Sequence, residues 1–402
     1  MAESDHARRQ GRHLGRVIPR LLAAVLLVDV ALRVAFAFRV VSIDPLTFRP
    51  SDALMAYRPV GATYEPNRHY YNARSYGDVA GIANLHDPRE YRPVRFSTDA
   101  LGYRNPAHAL NEEIGAVLVG DSFAVGVGAS DDQTPAARLS ALGPCVVYDA
   151  AGEARSVAPD LILAAARHLT VRNRVVIRVY AEDAEVPQPR ETLLRKLAIR
   201  LPEHSRAVAG RLRGILMVSP LRILTRRALQ ALEDDRILPN RYAVNAVTAV
   251  VSNGDSMAFW TPEVQDFYRR RPVALAYWRW MRDELRTARF DLRVVLVPSK
   301  YRVYRPFLVT PSPARLGAGE GDHYLDRLEG ALRAAGIPVL NLTPLFSAEA
   351  ARQLKHERYL YWPDDVHWNA RGIALAAAAI QETWPLAEGS CAAPHLQART
   401  HP

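Results

Sequence analysis

The chain has 402 residues, of which 49% are apolar, 23% charged and 8% aromatic, a balance that supplies a sizeable core and excludes wholesale disorder. Its 52 Lys and Arg against 42 Asp and Glu leave a formal charge of +10, which suits nucleic acid, an anionic membrane surface or an acidic polymer without choosing among them. Cys145 and Cys391 are the only cysteines and there is no CxxC or Cys/His cluster, so neither structural zinc nor a disulfide framework is expected, and no metal or cofactor.

Taken in chain order, Arg8, Arg9, Arg12, Arg16 and Arg20 precede a largely apolar run from Leu21 to Val41, close to the roughly 20 residues that cross a hydrocarbon core. Residues 1–20 read as a basic cytoplasmic tail and 21–41 as a single-pass transmembrane anchor, which sends the remaining chain to the periplasmic or extracellular side. Asp29 and Arg33 interrupt the run, but their i,i+4 spacing lets them pair on one helix face. The stretch Ser42–Leu46 offers no small-x-small cleavage pattern, so an uncleaved anchor is expected over a signal peptide. Residues 46–110, rich in Pro, Tyr, Asn and Arg without sustained periodicity, read as an irregular lead-in that carries little chemistry.

Short apolar runs at Ala116–Val119, Cys145–Tyr148, Val175–Tyr180, Leu292–Val297 and Ile337–Leu340 are predicted as core strands. Between them, Thr134–Leu142, Ala158–Leu169, Pro272–Ala288 and Tyr324–Ala335 repeat apolar residues every three or four positions and are predicted as helices. Such alternation implies a parallel sheet covered on both faces. An insertion at 186–271 interrupts it. The first half of the insertion, Arg190–Arg227, holds ten Lys or Arg and two acids among apolar residues at helical spacing, and reads as basic amphipathic helices, either a solvated cap or a surface for anionic lipid or acidic polysaccharide. Asn253-Gly254-Asp255 marks a turn. Trp278 and Trp280 are expected to pack, as is Cys145 on its core strand. The tail 389–402 is small and polar, with the composition of a flexible end.

In a doubly covered parallel sheet, ligands bind beyond the carboxyl ends of the strands. The first strand ends in Val119-Gly120-Asp121-Ser122-Phe123, which presents a hydroxyl at that rim. A serine needs a neighbouring base, normally His oriented by a carboxylate. The matching segment is Tyr361-Trp362-Pro363-Asp364-Asp365-Val366-His367-Trp368-Asn369, just before an alanine-rich helix. His367 is the candidate base, and either Asp364 or Asp365 lies near enough to orient it.

Gly120-Asp121-Ser122-Phe123 after a strand, with Asp-x-His before the last helix, resembles the SGNH/GDSL hydrolase superfamily. Asp365-Val366-His367-Trp368 and Val297-Pro298-Ser299-Lys300 are similar to segments of the membrane-anchored SGNH-like acetyltransferases of the alginate O-acetylation type. The resemblance implies a flavodoxin-like three-layer α/β sandwich over 111–388 and O-acetyl transfer or ester hydrolysis on a polysaccharide. It also implies a membrane-bound O-acyltransferase partner, and substrate-side roles for Trp368 and Lys300. In that family the oxyanion hole takes a backbone N–H after the second strand, here Gly152 or Ala154. It also takes an asparagine after the third, where this chain has Glu182, a poor oxyanion donor. That departure leaves a non-catalytic carbohydrate-binding or assembly module as the competing expectation. Nucleic-acid binding ranks last, since no binding motif accompanies the charge.

Overall fold

The computed structural model describes residues 2–59, 63–152, 159–182, 184, 202–309 and 323–386. The chain opens with a long helix, α1 (Ala2–Ala37). The lead-in that follows is ordered rather than irregular. It contains α2 (Pro50–Ala56), whose Pro50 sits in the first turn, where a missing N–H leaves no bond unmade. It continues through β1 (His69–Ser75), α3 (Asp78–Ala83) and β2 (Arg92–Ser97), with β1 and β2 paired antiparallel.

The core begins with β3 (Glu113–Val119), α4 (Ser122–Val125), α5 (Pro135–Leu142), β4 (Val146–Asp149), α6 (Pro159–Ala166) and β5 (Thr170–Ala181). The insertion supplies α7 (Glu203–Met217), α8 (Pro220–Asp234), β6 (Ala246–Val250), β7 (Ser256–Trp260) and α9 (Thr261–Phe267). The core then resumes with α10 (Leu275–Thr287), β8 (Asp291–Val297), α11 (Lys300–Tyr304), α12 (Tyr324–Ala334), β9 (Val339–Asn341), α13 (Thr343–Gln353) and α14 (Ala370–Thr383).

Five strands form one parallel sheet in the order β4-β3-β5-β8-β9. Ranked along the chain this is 2-1-3-4-5, the flavodoxin-type order, whose ligand crevice lies beside the first strand. All five predicted strands and the four predicted helices are present within a few residues of their expected bounds. The strands are apolar on both faces because both faces are covered. Ala116 and Leu118 of β3 face α5 and α14, meeting Leu139, Ile373 and Ala377, all buried. Val117 and Val119 face α6, α10 and α12, meeting Ile162, Trp278 and Leu328. Trp278 packs edge-on against Tyr180 with ring centroids 5.4 Å apart, the packing role expected of it.

The N-terminal expectation needs correction. No helix among the described residues is long and apolar enough to cross a membrane: α1 ends at Ala37, and its apolar stretch is bounded by Arg20 and broken by Asp29 and Arg33. The two charges do pair, at 2.6 Å, and they also dock the insertion. Arg33 Nη1 donates to the carbonyls of Ile215 (3.0 Å) and Leu216 (2.9 Å) at the end of α7, and Asp29 accepts the Ser219 hydroxyl that caps α8. The second half of the insertion carries the hairpin β6–β7, with Gly254 at φ 96° in the turn expected at 253–255, followed by α9.

Replacing Trp278 by Ala empties a fully buried site and should lower the unfolding free energy by about 3–5 kcal/mol in urea titration, with no change in apparent affinity for any glycan.

Candidate active site

The position of Ser122, the candidate nucleophile, follows from the end of β3. Gly120 lets the chain turn, since a Cβ there would stand 2.3 Å from Ala124 Cβ and 2.9 Å from the Val179 carbonyl oxygen. Asp121 caps the next turn by accepting the Phe123 N–H at 3.0 Å. Ser122 therefore leads α4 at the carboxyl rim, half-buried, with Oγ 2.7 Å from Nε2 of His367. The two segments that the resemblance paired across the chain do meet.

His367 Nδ1 lies 2.6 Å from Asp365 Oδ1, which also accepts the His367 N–H at 3.1 Å. Asp365, not Asp364, is thus the orienting acid. Asp364 Oδ2 accepts the N–H groups of Gly77 (2.8 Å) and Glu90 (2.9 Å), so its task is to hold the lead-in against the loop. Arg92 joins the two acids, with Nη1 2.9 Å from Asp364 Oδ1 and Nη2 3.0 Å from Asp365 Oδ2, and its guanidinium lies 4.1 Å above the Trp362 ring. The approach is so close that a Cβ on Gly77 would come 2.0 Å from the Asp364 carbonyl oxygen.

Several sequence-predicted residues stand elsewhere than expected. Lys300 is neither a glycan contact nor a solvated strand-end lysine: it is fully buried, and its Nζ donates to the carbonyls of Trp362 (3.1 Å), Pro363 (3.1 Å) and Asp365 (2.7 Å). Trp368 is also fully buried; its Nε1 donates to the Phe123 carbonyl at 3.1 Å, tying the base's segment to the nucleophile's turn. Glu182 does not stand in for the oxyanion asparagine, because Arg302 and the Ser299 N–H (3.0 Å) engage its carboxylate. The Gly152 N–H is committed to the Gly120 carbonyl at 3.1 Å, and Ala154 lies outside the described residues. Sequence reasoning missed Arg49, Gly77, Asp78 and Arg92, all from a lead-in without periodicity.

A cleft of about 800 Å³ opens over Ser122 and His367, walled by Arg49, Asp78, Trp260 and Arg271. Asp78 enters from α3, with Oδ1 accepting the Val366 N–H at 3.1 Å and Oδ2 3.8 Å from His367 Nδ1. Burial opposes charge on His367, but the Asp365 carboxylate, its hydrogen bond and Asp78 outweigh it and hold the imidazole up to about 9. Burial opposes charge on Asp365 too, yet His367, a hydrogen bond from Asp78 and Arg92 hold it well below the usual carboxylate range. Burial, then the Asp365 charge, pushes Asp78 up to about 7. Burial lowers Lys300 to about 8 against the pull of Glu263, Asp365 and Asp364.

With this geometry in place, comparison with known proteins is informative. The family model for the SGNH hydrolase-like domain of the acetyltransferase AlgX matches residues 268–401. The match supports the AlgX-type, SGNH hydrolase-like family. It takes in Lys300, Asp365, His367 and Trp368 and leaves Ser122 outside. No curated protein matches the chain. An SGNH-like domain of this type is consistent with acetyltransferase or esterase activity.

The perturbed groups couple stability to pH. The contribution of His367, raised from 6.5 to about 9, is complete below pH 6.5 and is lost as pH rises through 9. Asp78 and Asp149, both raised from 3.8 to about 7, likewise lose stabilisation as pH rises from about 4 to 7. The unfolding free energy should therefore fall from pH 5 to 8, with His367 accounting for about 2 kcal/mol of the drop above pH 6.5. Urea titrations of His367→Gln should lack that upper portion. Separately, Lys300→Met removes the buried donor that three carbonyls share, leaving those of Trp362 and Pro363 with a backbone N–H each, and should cost about 3 kcal/mol.

Proposed function

We propose that the protein is a serine-dependent O-acyltransferase or esterase acting through an acyl-serine intermediate on a polysaccharide outside the cytoplasm. The observation that carries this reading is the unbroken relay from Ser122 Oγ through His367 to Asp365, with separations of 2.7 Å and 2.6 Å, at the mouth of a cleft. A relay with both contacts at hydrogen-bond length is what a general base needs to activate a hydroxyl, and it weighs against a non-catalytic module.

His367 Nε2 takes the Ser122 proton as Oγ attacks the acyl carbonyl. Asp365 stabilises the resulting imidazolium. The leaving group departs with that proton from Nε2, which leaves acyl-Ser122. An acceptor hydroxyl then gives its proton to Nε2 and attacks the acyl carbon; the acyl–Oγ bond breaks and Nε2 returns the proton to Ser122 Oγ, while water in the acceptor's place makes the reaction hydrolysis. The N–H groups opening α4 have no partner inside their own turn, and that of Ser122 is the donor we assign to the tetrahedral oxyanion. The family match supports acetyl as the acyl group, and a polysaccharide acceptor is what the resemblance implies. A membrane-bound O-acyltransferase as donor supplier follows from the resemblance alone.

Membrane contact through α1, rather than a span, is the location we infer. In support, Leu21, Leu22, Val25, Leu26 and Leu27 of α1 are 55–70% exposed, more apolar surface than a soluble helix leaves uncovered.

Ser122→Ala and His367→Ala should each abolish turnover of an acetyl ester and the fluorophosphonate adduct on Ser122. Asp365→Asn should lower kcat by roughly 10⁴, whereas Asp364→Asn should act mainly on stability. An unlabelled Ser122 in folded protein with no acetate released would instead favour a carbohydrate-binding module.

A further inference from the structure

The relay has more carboxylate than it needs. One acid suffices to orient a catalytic imidazole, yet a second, Asp78, stands on the same ring nitrogen. It comes from a different part of the chain, and all three groups have an oxygen or nitrogen atom within 4.8 Å of the others. Asp78 opens α3, with Gly77 as its cap residue. Its Oδ1 is fixed by the Val366 N–H at 3.1 Å, the peptide between Asp365 and His367, so its placement is tied to the segment that bears the base. Its Oδ2 lies 3.8 Å from His367 Nδ1 and 3.9 Å from Arg49 Nη1, and it shares a hydrogen bond with Asp365. Gly77 and Arg92, which hold Asp364 and Asp365, flank it on the same stretch of lead-in.

We propose that Asp78 is a positioning residue of the relay, a second carboxylate that acts on His367 through Asp365 and Nδ1 and sets how firmly the imidazolium keeps its proton. The inference rests on Ser122, His367 and Asp365 forming the working site, and adds the residue that tunes it. Two carboxylates on Nδ1 stabilise the imidazolium formed during serine attack. They also make that imidazolium slower to surrender its proton to the leaving group. Between the two carboxyls one proton can be held, Asp78 donating to Asp365. In that protonated state the relay works with a single negative charge behind the ring; once Asp78 ionises, it works with two.

The charged groups around His367 are few and come from several elements. Asp365 belongs to its own loop, Asp78 to α3, and Arg49, which opposes protonation, precedes α2. Arg92 of β2 acts on Asp364 and Asp365. Lys300 of α11 lies beneath the Asp365 carbonyl. Asp121, Asp266, Arg269, Arg270 and Arg271 line the cleft further out. Among the described residues, Asp78 and Asp365 place a carboxylate within 4 Å of the ring.

The test reads the ring itself, so it does not depend on knowing the acyl acceptor. In full-length protein labelled at the histidine ring nitrogens, with the His367 signal assigned by its loss in His367→Gln, His367 should titrate near pH 9. In Asp78→Asn it should titrate lower by roughly one pH unit, and the rate of fluorophosphonate labelling of Ser122 should reach half its plateau at a correspondingly lower pH. Asp78→Asn keeps an oxygen for the Val366 N–H; should it unfold, Asp78→Glu, which keeps the charge, replaces it and should hold the titration within a few tenths of a unit. An unmoved His367 titration in folded Asp78→Asn, or a titration displaced equally by Asp78→Glu, overturns the proposal. A normal titration shift with no labelling of Ser122 in the unaltered protein would leave the role of Asp78 intact and overturn the acyl-serine reading instead.

Discussion

Two adjacent carboxylates and an imidazole lie buried on one short loop, Asp364 to His367, and the loop holds its shape because two cations are buried with it. Arg92 spans the side chains of Asp364 and Asp365, while Lys300 gathers the carbonyls of Trp362, Pro363 and Asp365 from beneath. Charges taken out of water cost several kcal/mol each unless they are paired and their remaining hydrogen bonds are filled. Here each oxygen of Asp364 and Asp365 meets at least one donor. Charge neutralisation and site geometry coincide here: burying this set leaves Asp365 behind His367 and His367 toward Ser122.

The insertion contributes to the same end. The hairpin strand β7 donates its Ala258 N–H to the Pro363 carbonyl at 2.9 Å, and Glu263 of α9 accepts the Tyr301 N–H at 2.7 Å, next to Lys300. The basic helices that precede the hairpin are bound to α1 through Arg33 and Asp29. What reads along the chain as an interruption is in space a bracket between the N-terminal helix and the acid loop.

The sheet was legible because buried parallel strands are runs of apolar residues, and two of them stop at a breaker, β3 at Gly120 and β8 at Pro298. Ser122 was legible because it follows a strand end, and His367 because a hydroxyl there calls for a base and the Asp-x-His segment before the last helix offers one. The lead-in was not: Arg49, Asp78 and Arg92 are common polar residues in a stretch without period, and what joins Asp78 and Arg92 to the site is contact with a loop 288 and 272 positions away. Lys300 was noticed but misread, since a lysine after a strand gives no local sign that three carbonyls await it. The choice between Asp364 and Asp365 was likewise open, because either spacing reaches an imidazole and only the donors from Gly77 and Glu90 decide which acid is taken.

One feature of the polar loop reaches beyond catalysis. Asp364 is the acceptor that fastens Gly77 and Glu90, while Arg92 answers it from the same hairpin region, so the first hundred residues and the last helix are stitched at a single buried knot. A fragment cut to start at the first core strand would retain nucleophile, base and acid in name, yet leave both aspartates without their counter-charge. Swapping this domain between relatives therefore demands that the N-terminal wrap travel with it, as part of the folded domain.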